Sequence, residues 1–165
     1  MADGPPQAHE EGNRMIVDQQ VTIAAPVDRV WDFMMDIPAV SRCVPGVESF
    51  EAVDPDTYQG ALKLKVGPIG VRLQGRVVVA ERDRENLRSR MDVSAAEKRI
   101  ASTVSAKATM TLVPKGDTET ELHIHTEASI LGKLGEFGQA VMRRKADQVM
   151  AEFARNVQRE LAAGG

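Results

Sequence analysis

The sequence predicts an α+β domain in which a strongly curved antiparallel sheet of about seven strands wraps one long C-terminal helix. Three observations carry this expectation. From Val47 to Ile130 apolar and polar side chains alternate with period two. Short turn-rich joints, Asp83 to Asn86 and Pro114 to Asp117, connect neighbouring runs and leave little room for crossover helices. A single apolar stripe at helical spacing then closes the chain.

The elements follow in order. Residues 1 to about 14 combine Gly4, Pro5, Pro6, Gly12 and several charges with almost nothing apolar, so burial cannot offset their ordering entropy, and a disordered lead-in is expected. A first strand is predicted at about Ile16 to Ala24, on the β-branched residues Ile16, Val21 and Ile23. Pro26 suits the first position of a short helix that places Val27, Val30, Trp31 and Met34 on one face. Asp36 and Pro38 read as the cap and first residue of a second short helix, stopping before the turn Cys43, Val44, Pro45, Gly46.

The strands that follow show their inner faces directly. Tyr58, Gly60, Leu62, Leu64 and Val66 pair as a hairpin with Val71, Leu73, Gly75, Val77 and Val79 around Gly67–Gly70. The pattern returns in Leu87 to Ala95, Val104 to Leu112 and Leu122 to Ile130. Gly132, Gly135 and Gly138 open the last segment, whose stripe Leu134, Phe137, Val141, Met142, Val149, Met150, Phe153, Val157 and Leu161 predicts a helix of about 25 to 30 residues with bent or closely packed first turns. One domain over residues 15–162 accounts for the whole pattern.

Geometry then predicts a hollow. Seven strands spaced about 4.8 Å apart make a sheet roughly 30 Å wide, whereas one helix with its side chains is about 10 to 12 Å across. The sheet must curl, and small inward residues (Gly60, Gly75, Ala95, Ala106, Ala108, Ala128) leave space that a filled core would close with Leu, Ile or Phe. The expected wall is Leu64, Val66, Val71, Leu73, Val77, Met91, Val93, Ala106, Ala108 and Met110 from the strands, with Phe137 and Val141 from the helix. Such a lining suits an apolar small molecule; the competing expectation is a solid core with alanines at tight helix contacts.

Composition narrows the function classes. A formal net charge of −3 disfavours nucleic acid as a partner. A single cysteine, no secretory run and no stretch of about 18 apolar residues predict a cytoplasmic protein without disulfide or membrane span. There is no Ser, His and Asp constellation, paired inward carboxylate, Walker loop or dinucleotide fingerprint, so no catalytic residue and no cofactor are assigned. His123 and His125 share a strand face but point away from the apolar side with no third ligand nearby in sequence, so no metal is expected. Cys43 reads as a small buried hydrophobe and Trp31 as core. Arg143, Arg144 and Lys145 form a small basic cluster on the last helix, diluted by Glu136, Asp147 and Glu152; a solvated face is expected there, with weak peripheral contact to anionic headgroups as the alternative.

The order of elements resembles the helix-grip fold shared by START, Bet v 1 and polyketide cyclase proteins. The segments DIPAVSRCVPGVESFE, YQGALKLKVGPIGVRLQG and ILGKLGEFGQAVM sharpen this, since they resemble the CoxG family of carbon monoxide dehydrogenase from about Ile16 to Leu161. The CVPG turn, Cys43 to Gly46, and the KVGPI hairpin, Lys65 to Ile69, are the hallmarks. The resemblance implies a non-catalytic accessory protein of a molybdenum hydroxylase, acting in membrane recruitment or electron transfer at the inner face of the membrane. Some members continue into a linker and apolar tail, whereas this sequence stops at Ala162, Ala163, Gly164, Gly165. A quinone or isoprenoid lipid is the expected ligand, because an enzyme that strips electrons needs an apolar, redox-active acceptor. The alternative is a cyclase or dehydratase acting on an aromatic precursor, with Tyr58, Ser89, Ser102 and Thr126 as the polar groups available inside.

Overall fold

Alternation becomes sheet wherever the sequence predicts it. A computed structural model describes residues 14–164. The chain runs β1 (Arg14–Ile23), α1 (Val27–Met35), α2 (Ile37–Cys43), β2 (Val47–Asp54), β3 (Thr57–Val66), β4 (Ile69–Asp83), β5 (Arg88–Glu97), β6 (Ser102–Pro114), β7 (Thr120–Leu131) and α3 (Gln139–Gly164). The seven strands form one open, curved antiparallel sheet in the order β1-β7-β6-β5-β4-β3-β2. Tyr58, Val77, Val93, Ala106, Ala128 and Met15 stand in one register row across six strands, so the inner face is continuous.

The predicted bounds shift in places with physical cause. Arg14, at the end of the expected lead-in, already pairs with Ser129 and so belongs to β1; the rest of that segment, residues 1–13, lies outside the described residues. Pro26 keeps an extended conformation (φ −62°, ψ 152°) and precedes α1 instead of opening it. In α2 the Asp36 carboxylate accepts from the Ala39 backbone N–H at 3.2 Å, the cap its position predicts. Strand β4 continues past Val79 because a bulge between Val79 and Glu81 restores its pairing with β5. Leu87 adopts φ 54° in the turn before β5 and does not begin the strand.

The C-terminal segment is not one continuous rod. Lys133–Phe137 form a tight turn flanked by Gly132 and Gly138, both at positive φ (84° and 85°), and α3 proper starts at Gln139. Its stripe buries unevenly: Phe153, Val157 and Leu161 are buried with Val30, Trp31, Met34 and Leu122, while Val141, Met142 and Met150 are only partly covered.

Side-chain hydrogen bonds fix α3 along the free edge of β1. Gln139 Nε2 donates to the Arg14 carbonyl and Arg143 Nη1 to the Ile16 carbonyl, both at 2.7 Å. Gln19 Nε2 donates to the Ala146 carbonyl at 3.2 Å, and the Ala24 N–H donates to Gln158 Oε1 at 2.8 Å. An edge strand leaves backbone groups unpaired, and here the helix satisfies them.

Candidate functional site

With α3 held at the β1 edge, the middle of the curved sheet is roofed by something else. Short helix α2 and the turn after it present Ile37, Val40, Ser41 and Val44 above β2 to β5. Between them lies a cavity of about 300 Å³. Its floor is Gly60, Ala61 and Leu62 of β3, Leu73, Gly75 and Val77 of β4, Met91, Val93 and Ala95 of β5 and Val104 of β6, with Val47, Ser49 and Phe50 of edge strand β2 along one side. Arg76 borders it, but alternation along β4 places its exposed side chain on the other face of the sheet. The lining is otherwise apolar apart from two serines, and the volume lies at the lower end of the roughly 300–1,000 Å³ range of small-molecule pockets.

Residues 20–162 match the family model for CoxG of carbon monoxide dehydrogenase. The chain belongs to the CoxG family. Comparison with curated proteins gives no match. Among solved structures, a conserved protein from Geobacillus kaustophilus is similar with a TM-score of 0.82 at 21% identity, covering 90% of this chain and 96% of that one. A START superfamily protein from Mycobacterium smegmatis matches with a TM-score of 0.67 at 11% identity, over 91% of this chain and 99% of that one. The Zhui aromatase/cyclase from Streptomyces sp. R1128 matches at 0.64 and 16% identity, over 90% and 94%. These likenesses place the CoxG chain in the helix-grip fold of START and Bet v 1 proteins.

In this CoxG domain the twelve wall residues expected from sequence divide. Leu73, Val77, Met91 and Val93 line the cavity. Val66 and Val71 are buried in a separate cluster with Met15, Val17, Ile130 and Leu134, against which Leu64, Phe137 and Val141 pack. Met110 is buried against α1 and the second half of α3. Ala106 and Ala108 stand beside Val93 and Met91 in register on β6, the strand that gives Val104 to the floor, but do not themselves line the cavity. The apolar stripe predicts a helical wall, yet none of the lining comes from α3, because its bonds to β1 draw it to the sheet edge.

Polar groups near the cavity are largely committed. The Ser41 hydroxyl donates to the Pro38 carbonyl at 2.7 Å, and the Tyr58 hydroxyl donates to the Pro55 carbonyl at 3.1 Å while its ring stacks on Phe50 at 5.3 Å. Ser102 Oγ donates to the Ile100 carbonyl and accepts from the Leu134 N–H at 3.0 Å. Cys43 is buried, and burial pushes its thiol above the ordinary value. Trp31 is buried in the α1 core.

The two histidines lie on the outer face, beside a polar hollow lined by Asp18, Gln20, Thr109 and Thr111. His123 Nε2 meets Glu121 at 2.8 Å, and His125 lies between Asp18 and Glu127, which raise its pKa. Among the described residues no group of three His, Cys, Asp or Glu side chains is arranged to hold a metal. No described helix is long and apolar enough to cross a membrane.

Proposed function

We propose that this CoxG-family protein is a non-catalytic carrier that holds an apolar small molecule in the cavity beneath α2. The observation that carries the reading is the lining itself: it offers dispersion contacts on every side and almost no unpaired hydrogen-bonding group. Quinones and other isoprenoid lipids suit such a wall. At about 300 Å³ the cavity takes a ring system and the start of a chain, so a long tail extends through its mouth.

Family membership supports a partner of the molybdenum hydroxylase type, and a membrane quinone supports a role in that enzyme's electron transfer or its recruitment to the membrane. The likeness in shape to an aromatase/cyclase favours one second reading, an enzyme acting on an aromatic precursor. Tyr58 is its strongest polar candidate, although the Tyr58 hydroxyl is turned to Pro55.

Native mass spectrometry of the purified protein, followed by solvent extraction, tests the carrier. A copurifying lipid, or a quinone that raises the melting temperature in proportion to the logarithm of its concentration, is the expected result. Absence of both defeats the reading, and turnover of an aromatic precursor that disappears in Tyr58→Phe replaces it with the second.

A further inference from the structure

The open sheet has two edges, and they are treated differently. Along β1 the helix α3 meets the edge: Gln139 and Arg143 donate to the Arg14 and Ile16 carbonyls, and the Ala24 N–H donates to Gln158. Strand β2 is the other terminal strand. It pairs with β3, and among the described residues no hydrogen bond from any other element reaches the backbone of Val47–Asp54. Alternate residues of an edge strand direct N–H and C=O away from the sheet, groups that an extended chain satisfies.

The β2 edge is irregular at its ends and regular in its middle. Register shifts fall between Val47 and Ser49 and between Ala52 and Asp54, leaving Ser49, Phe50, Glu51 and Ala52 in step with Ala61, Gly60, Gln59 and Tyr58. Phe50 is half-exposed, stacks on inward-facing Tyr58 at 5.3 Å and lines one side of the cavity. Glu51 follows it, exposed and opposite Gln59, and so falls on the outer face.

Charge selects the occupant. From Val47 to Thr57 the chain carries Glu48, Glu51, Asp54 and Asp56 and no lysine or arginine. Arg72 holds Glu48 and Arg82 holds Asp56, whereas Glu51, in the regular run, makes no ion pair among the described residues. A second copy of β2 would set these carboxylates against their own kind. The segment of residues 1–13 is no better matched, since it brings Asp3, Glu10, Glu11, Pro5 and Pro6.

We propose that β2 is a docking edge for an extended cationic segment of a partner protein, which joins the seven-stranded sheet as a further strand. Its main chain completes the ladder beside Ser49–Ala52. One of its faces sets a lysine or arginine against Glu51, and the other sets an apolar side chain against Phe50 at the side of the cavity. Backbone bonds supply affinity and the carboxylates supply the choice of partner, while bulges and like charge keep the edge from pairing with itself. Edge and charge alone carry the assignment, so it stands whether or not the cavity holds an apolar molecule.

Fluorescence anisotropy and amide exchange on the full chain test it, with a labelled hexapeptide of alternating lysine and valine as the probe. The peptide is expected to bind, to slow exchange across Ser49–Val53 and to be released by salt. Hexapeptides of alternating glutamate and valine, or of alternating lysine and proline, are expected to bind at least about tenfold more weakly, because the first reverses the charge and the second keeps it but lacks alternate N–H groups. Glu51→Lys is expected to weaken binding of the lysine–valine peptide about fivefold, and Asp117→Lys, in the β6–β7 turn, to leave it unchanged. Circular dichroism melts confirm that each variant is folded, and apolar-dye binding on the same samples reports the cavity separately. No binding, equal binding of the lysine–proline peptide, protection confined to other strands, or wild-type affinity in Glu51→Lys overturns the proposal.

Discussion

Gly60 and Gly75 face each other across the β3–β4 ladder, and neither has room for a side chain. A Cβ on Gly60 would stand 2.1 Å from the Ser49 carbonyl oxygen, and one on Gly75 would stand 2.4 Å from that of Ser94. Neighbouring backbones therefore close in at these positions, and the sheet bends there to make the floor of the cavity.

Two substitutions in that floor separate curvature from volume. Gly75→Ala forces a methyl into fixed backbone and is expected to cost about 1–3 kcal/mol in urea unfolding. Val93→Phe instead extends into the hollow, so it is expected to cost less stability while abolishing fluorescence of a bound apolar dye. If the phenylalanine variant binds dye like wild type, the ligand site lies elsewhere.

Glu97, at the end of β5, is expected to contribute to acid sensitivity. Its carboxyl is held down to about 2, first by the Arg99 side chain and next by the Arg72 backbone N–H. A depressed folded pKa contributes stability that is complete above the unfolded value, near 4.5, and is lost as pH falls toward 2. Glu97→Gln is expected to flatten the fall in melting temperature over that window and to leave the profile near neutrality parallel to wild type. An unchanged acid limb would show that the ion pair does not contribute.

Arg143 belongs by sequence pattern to a solvated cluster, yet it anchors α3 to the Ile16 carbonyl. Arg143→Ala, leaving Gln139 in place, is expected to cost about 1 kcal/mol. Amide exchange should accelerate across the first half of α3, where no residue is fully buried, and stay slow around Phe153, Val157 and Leu161. Uniform acceleration along the helix would contradict two-part anchoring.

The elements differ in how far a single sequence exposes them. Strands β3 to β7 are legible because each alternates over ten or more residues, enough for period two to dominate. The carrier wall is only partly legible. Val40 and Val44 roof the cavity from a helix of seven residues and the turn after it, too short for a helical period to show which face turns inward. Conversely, Phe137 and Val141 fit the α3 stripe, but a stripe fixes a face and not the element it meets. What redirects the helix is polar and local: Gln139, Arg143 and Gln158 bond backbone groups at opposite ends of β1, long-range pairings that hydropathy does not encode.

Gly138 tests how firmly the joint before α3 is held. Its backbone lies at φ 85° and ψ 161°, a region open in practice only to glycine, while nothing stands within 4 Å of where a Cβ would be. Gly138→Ala therefore strains the backbone without a clash, at about 1–3 kcal/mol. Relief comes most cheaply by loosening the partly covered Phe137 and Val141, since the second half of α3 is anchored by buried Phe153, Val157 and Leu161. The expected result is a lower melting temperature together with faster uptake of an apolar dye, as Phe137 loosens from its packing against the β3–β4 turn. Lower stability with unchanged uptake would mean that ligand enters on the α2 side of the sheet instead.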